Sequence, residues 1–300
     1  MATDNFRGDV ADFLSRLLAR ESGIDPERHD WYVDNLDVPV LNMPAVTSDR
    51  QLVRNPQTGA PVRTWMTVRQ YFDALGVDGW FLPGDKSSLR RMQYASTNAL
   101  GFIGYQFGEA VLTTHGIYEP EQVSIEVHRT CPRLYCGDVS QDQWIDGRTE
   151  YVYRNSWSGL ITVATSVNTW RGRFTGRCGV STLDHLRSPE GQERLIRLLL
   201  RENSRAVLTT LGSRTDLEGR VLACQQLADV VGLCATAVSP PTYSYSGLLA
   251  AAHLCGPNAV VGYLCTGRDV TDEFATTMAA YIDEFQGYDL RPVLDDGDDD

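Results

Sequence analysis

The sequence predicts a mainly helical α+β fold. Three observations carry that prediction. An apolar stripe at helical spacing lies near the N-terminus, long helical periodicity returns after Gly179, and one block between 122 and 167 is rich in strand formers. The chain has 300 residues, of which 42% are hydrophobic and 22% charged, the composition of a folded chain rather than a disordered one.

Val10, Phe13, Leu14, Leu17 and Leu18 recur every three or four positions, so the first element is an amphipathic helix that ends at Glu21-Ser22-Gly23. Glu21 follows Leu17 by four and Leu18 by three, which puts its carboxyl on the apolar face at the helix end. Residues 24–85 are turn-rich, with Pro26, Pro39, Pro44, Pro56, Pro61 and Pro83, and hold one short helix at Val68–Leu75. Residues 86–98 read as a further helix. Tyr105–Thr114 reads as a helix entered through Gly101 and Gly104.

Val123–Val127, Glu150–Tyr153 and Leu160–Val163 favour strands and form a small β-rich insertion. Helices are expected at about 189–211, 215–232, 244–254, 257–264 and 272–285. No repeat of 20–50 residues is present. The last residues, from about Arg291, read as a disordered acidic tail whose charge spacing is not that of an EF-hand loop.

Net charge is −12. Five acids fall in the tail (Asp295, Asp296, Asp298, Asp299 and Asp300), and the remaining 34 acids still outnumber the 27 bases. That sign argues against nonspecific binding of nucleic acid. No apolar run approaches the ~20 residues of a membrane span, and residues 1–20 lack the pattern of a secretory signal. The seven cysteines form no CxxC pair, so zinc-ribbon and thioredoxin readings have no support. Cys131 and Cys136 bracket a short segment and remain open as a disulfide. Cys224/Cys234 and Cys255/Cys265 would bridge only if the chain turned between them.

A carboxylic acid on the apolar side of a helix end has a raised pKa, because burial disfavours its charged form. It then keeps its proton near neutral pH and donates it to a poor leaving group such as a glycosidic oxygen. Taken alone, Glu21 reads first as a helix-end carboxylate half in water. The wider pattern is more specific. Phe13–Gly23 resembles the catalytic helix of lysozyme-like lytic transglycosylases, which ends in Glu-Ser. Asn98–Ala110, with Gly101-Phe102-Ile103-Gly104-Tyr105-Gln106-Phe107-Gly108-Glu109-Ala110, is similar to the Gly-rich element of lysozyme-like peptidoglycan-cleaving domains. Two further blocks fit the same family. One is Trp170 with Phe174–Val180 and Ser188–Glu193. The other is Ser246–Leu254 with Gly256, ending near Phe285–Tyr288.

The resemblance implies a lysozyme-like helical domain over 1–290, interrupted by insertions at about 24–85 and 117–168, with a tail at 291–300. It implies cleavage of β-1,4 bonds in peptidoglycan glycan strands, with Glu21 as general acid/base and no cofactor. Tyr105, Gln106, Trp170 and His253 would contact substrate. A hydrolase also needs a second carboxylate, for which Asp30, Asp34 and Asp37 are the candidates, whereas a lytic transglycosylase works with one. This sequence departs from the family pattern in two ways. Roughly 75 residues separate Ser22 from Asn98, and the Gly-rich element is one residue short, because Gly104 runs directly into Tyr105. The alternative is therefore a catalytically inactive glycan-binding or structural module of a phage-tail-like or secreted assembly, its insertions serving as partner surfaces. His29, His115, His128 and His185 show no metal-ligand spacing. Trp31, Trp65, Trp80, Trp144 and Trp157 are candidates to anchor loops or stack on sugars.

Overall fold

The computed structural model describes residues 6–45, 53–77, 85–98, 101–124, 142–145, 148–154, 160–165, 168, 170–212, 244–272 and 276–295. Its architecture is mainly α. The chain divides into two compact units, Met1–Arg20 with Arg54–Val62 and Ile196–Asp299, and Glu21–Val53 with Arg63–Leu195. The division falls inside two helices, α1 (Val10–Ser22) and α7 (Pro189–Gly212).

In the first unit, α1 starts where Asp9 accepts from the N–H groups of Ala11 and Asp12 while Asp12 reaches back to the N–H of Asp9. These are reciprocal caps of the donors that a helix start leaves free. The stripe read from the sequence is the buried one: Val10, Phe13, Leu14, Leu17 and Leu18 are all in the core. Phe13 meets Phe285 and Tyr288 edge-on, with ring centroids 5.6 and 5.7 Å apart. Arg16 pairs with Glu284 at 2.7 Å.

Helices α8 (Tyr245–Cys255), α9 (Pro257–Thr266), α10 (Met278–Glu284) and α11 (Arg291–Asp295) complete this unit with the C-terminal part of α7. Gly247 lets α8 approach α10 closely, since a Cβ there would lie 2.6 Å from the carbonyl oxygen of Ile282. Ser244 and Ser246 then clamp the loop after α10. Ser246 Oγ donates to the carbonyl of Phe285, and the N–H groups of Gly287 and Tyr288 donate to Ser244 Oγ and Ser246 Oγ.

The second unit is built on short elements. They are α2 (His29–Asp34), the strands β1 (Pro39–Pro44) and β2 (Arg63–Thr67), α3 (Val68–Ala74), α4 (Lys86–Ala95) and α5 (Glu109–Thr114), with α6 (Leu183–Arg187) further on. β1 and β2 pair antiparallel, with Asn42 opposite Trp65. A capping box between Thr67 and Gln70 turns β2 into α3. Ile24, Tyr32, Leu41, Val68, Tyr71, Phe72, Leu89 and Met92 form one buried cluster.

β3 (Tyr118–Glu119) pairs antiparallel with β8 (Arg173–Phe174). β4 (Glu121–Ser124), β5 (Asp142–Ile145), β6 (Arg148–Arg154) and β7 (Leu160–Thr165) form an antiparallel sheet in the order β4-β7-β6-β5. This sheet lies in the stretch where the sequence is rich in strand formers.

Several expectations need correction. Tyr105–Thr114 is not one helix: only Glu109–Thr114 is helical, because Gly104 and Gln106 have φ of 55° and 64°, which no right-handed helix accommodates. The 24–85 segment holds a hairpin and a second helix. The proline count hid the hairpin, since Pro39 and Pro44 sit at the two ends of β1. The last long helix is shorter than 272–285, running Met278–Glu284, and Arg291–Asp295 is a short helix rather than tail. The chain does turn between Cys255 and Cys265, by 119° at the break between α8 and α9, yet no disulfide joins the two. Cys131, Cys136, Cys224, Cys234, Trp80, Trp157, His128 and the expected helix at 215–232 lie outside the described residues.

Candidate functional site

The last carbonyls of a helix have no partner within it and must find one elsewhere. At the end of α1 they are met by side chains from distant segments. The carbonyl of Glu21 accepts from Gln106 Nε2 at 2.7 Å, and the carbonyl of Ser22 accepts from the Tyr71 hydroxyl. Gly23 turns the chain with φ of 71°. The amide of Gln93 spans that turn, donating to Ser22 Oγ at 2.7 Å and to the carbonyl of Ile24 at 2.6 Å. Ser22, Ile24 and Gln93 are buried, while Glu21 is half-buried. Burial raises the pKa of Tyr71, so its hydroxyl stays protonated and remains a donor.

The Gly-rich segment that supplies Gln106 is a tight double turn. Gly101 donates to the carbonyl of Asn98, Phe102 donates to Asn98 Oδ1, and Ile103 and Phe107 exchange backbone bonds. Asn98 Nδ2 donates to Gln106 Oε1 at 2.5 Å, which fixes the amide so that its nitrogen faces Glu21. Gly104 abuts Gln192, where a Cβ would fall 1.9 Å from Gln192 Oε1. That oxygen accepts from the N–H of Tyr105, and Gln192 Nε2 donates to the carbonyl of Tyr94.

Gln106 is at the end of α1 beside Glu21. Tyr105 is 1% exposed and packs on Tyr94 and Phe107, so its ring belongs to the core and offers no face to a sugar.

Trp170 lies in a second cluster with Glu109. Its backbone N–H donates to Glu109 Oε1, and Asn168 Oδ1 accepts from the N–H of Glu109. The Trp170 ring stacks on Phe174 at 6.0 Å and meets Tyr118 edge-on. Asn168 and Trp170 both have positive φ, 44° and 55°, outside the region ordinary residues prefer. His253 lies on α8 in the other unit and is half-buried.

Of the three candidate second carboxylates, Asp37 pairs with Arg69 at 3.0 Å, and Asp30 and Asp34 are exposed on α2. Trp31 stacks under the Arg28 guanidinium, and Trp65 is 64% exposed on β2. Among the described residues, no group of three or more His, Cys, Asp or Glu side chains is placed to hold a metal ion. Among them, no single helix is long and apolar enough to cross a membrane.

The sequence reading missed Gln93, Tyr71 and His29. Gln93 carried a detectable signal. It follows Leu89 by four and Met92 by one, so a neutral polar side chain falls on the buried stripe of α4. Tyr71 and His29 carried none, because their partners are backbone and side-chain atoms set by the turn at Gly23.

Compared with known proteins, the chain matches no family model, and no curated protein or solved structure gives a significant match.

Proposed function

We propose that the chain cleaves β-1,4 glycosidic bonds of peptidoglycan, with Glu21 as the single general acid/base and a lytic transglycosylase route. The observation that supports this most is the bond from Gln106 to the carbonyl of Glu21, which joins the Glu-Ser helix end to the Gly-rich element. These are the two sequence blocks that resemble the catalytic parts of lysozyme-like domains. In this reading the Glu21 carboxyl gives its proton to the leaving glycosidic oxygen. The carboxylate then accepts the proton of the C6 hydroxyl as that oxygen attacks C1, so the anhydro product forms and the acid is regenerated. One carboxyl carries both steps, consistent with the pairing of Asp37 and the exposure of Asp30 and Asp34.

A second reading is a non-catalytic module that binds glycan or serves an assembly. The burial of Tyr105 favours it, because it removes one of the residues the resemblance assigns to substrate. Purified protein and Glu21→Gln, incubated with peptidoglycan sacculi and followed by mass spectrometry of released fragments, separate the two. Anhydro-muropeptides from the native protein alone support the enzyme. Reducing-end fragments point to a hydrolase with a second carboxylate. No release by either, with sacculus binding intact, supports the module.

A further inference from the structure

We infer that Gln93 is a positioning residue for Glu21, holding the Glu21–Ile24 turn in the geometry that aims the carboxyl at substrate. The inference rests on the proposed glycan cleavage.

Gln93 is completely buried and sits on α4, outside the four blocks that resemble lysozyme-like domains. Its amide nitrogen faces two oxygens, Ser22 Oγ and the carbonyl of Ile24. A carbonyl only accepts, so the NH₂ end of the amide must lie there and Oε1 must point the other way. On that side Oε1 is 2.8 Å from His29 Nε2. An amide oxygen only accepts, so His29 Nε2 carries a hydrogen. One side chain thus ties the start of α2 to the end of α1 with every bond in a fixed direction.

The ring of contacts closes around the turn. Tyr71 holds the carbonyl of Ser22 and Gln106 holds that of Glu21. Gln93 holds the side chain of Ser22 and the carbonyl beyond Gly23. Glycine alone does not fix such a turn, since its φ and ψ are the least restricted of any residue. Near-attack geometry tolerates about half an ångström, and a 1 Å misplacement costs on the order of 100-fold in rate. The carboxyl leaves from a backbone atom one residue before Ser22, so play in this turn moves the acid directly.

The test uses Gln93→Glu and Gln93→Leu in the full chain, assayed on sacculi across about pH 5 to 9. Circular dichroism reports the fold at the assay temperature, and a sedimentation assay reports sacculus binding. A protonated glutamic acid keeps one donor for the carbonyl of Ile24 and one acceptor for His29, and Ser22 Oγ turns to suit. An ionised one has no donor. The expected result for Gln93→Glu is near-native cleavage at the acid end, lost as pH rises over a limb absent from the native protein. Gln93→Leu is expected to be slower by at least ~10-fold throughout, in kcat rather than in binding.

Folded variants with native rates and native pH profiles would overturn the inference while leaving the proposed function standing. A native protein that binds but releases nothing removes the proposed function, and the positioning role with it. Should both variants fail to fold, the histidine tautomer in the native protein decides. Long-range nitrogen–proton NMR showing His29 protonated on Nε2 supports the directed network, and protonation on Nδ1 alone overturns it.

Discussion

The side-chain amide of Gln106 donates to the main-chain carbonyl of Glu21 at 2.7 Å, across 85 positions of sequence. It reaches that carbonyl because the Gln106 backbone is left-handed, with φ of 64°, and because Asn98 holds the other end of its amide. The bond is to backbone, so it anchors Glu21 through its main chain. The helix end and the Gly-rich turn are thereby locked together by one side chain whose backbone is itself strained.

Replacing Gln106 separates the bond from the strain. Gln106→Ala loses the hydrogen bond and keeps a β-carbon in the left-handed region, which costs roughly 1–2 kcal/mol there. Gln106→Gly loses the same bond but relieves the strain, partly offset by the greater freedom of glycine in the unfolded chain. The glycine variant is expected to be more stable than the alanine variant by about 0.5–1 kcal/mol. Both are expected to be less stable than the native protein and, under the proposed function, slower on sacculi. Urea unfolding of the three proteins measures the order, and an alanine variant as stable as the glycine one would count against a strained Gln106.

The ordering of helices was legible where apolar residues recur on one face. The Val10, Phe13, Leu14, Leu17 and Leu18 stripe gave α1 and its end at Gly23, and the long periodicity of 189–211 gave α7. The end of Tyr105–Thr114 was legible and its start was not. Tyr-Gln-Phe-Gly has no local signal that Gln106 turns left-handed, since the reason lies in Asn98 and in the carbonyl of Glu21. Pairing Glu21 with Gln106 came from resemblance. The burial of Tyr105 was not foreseeable, because it depends on Gln192 filling the space above Gly104. The hairpin of β1 and β2 was hidden because its outer face carries Trp65 and Asn42, which blurs the inside–outside alternation a strand normally shows.

Gly104→Ala tests that packing directly. The new methyl would overlap Gln192 Oε1, and Gln192 is held by its bonds to Tyr105 and to the carbonyl of Tyr94. Backbone strain of roughly 1–2 kcal/mol and overpacking of about 1–3 kcal/mol act together, so the expected loss is about 2–5 kcal/mol. Gly59 is the control. Its φ is 71°, yet nothing lies within 4 Å of a Cβ placed there. Gly59→Ala should therefore cost only the strain. Equal melting temperatures for the two variants would show that Gln192 does not confine Gly104.

Trp65 and Phe13 predict opposite responses to the same truncation. Phe13 is fully buried against Phe285 and Tyr288, so Phe13→Ala should cost about 3–5 kcal/mol. Trp65 is 64% exposed, and Trp65→Ala should cost less than about 1 kcal/mol, within the range of strand preference alone. Denaturant midpoints compare the two. A large loss at Trp65 would mean that its ring is covered in solution.

Alkaline pH is expected to destabilise the fold through its buried tyrosines. Burial, and then the Glu193 carboxylate that accepts the Tyr94 hydroxyl at 2.6 Å, push Tyr94 up to about 12. Burial and the nearby Glu109 push Tyr118 up to about 12 as well. The ordinary tyrosine value is 10, and the unfolded chain titrates there. Above that pH the unfolded state binds fewer protons than the native state, so unfolding becomes easier as pH rises. The contribution is fully present below pH 10 and is lost by about 12. Urea midpoints should hold steady to about pH 9 and fall beyond it, with phenolate absorbance at these two rings appearing only as the protein unfolds. Tyr94→Phe has no proton to lose and should flatten part of that fall. A midpoint whose pH dependence is the same in Tyr94→Phe would assign the alkaline limb to other groups.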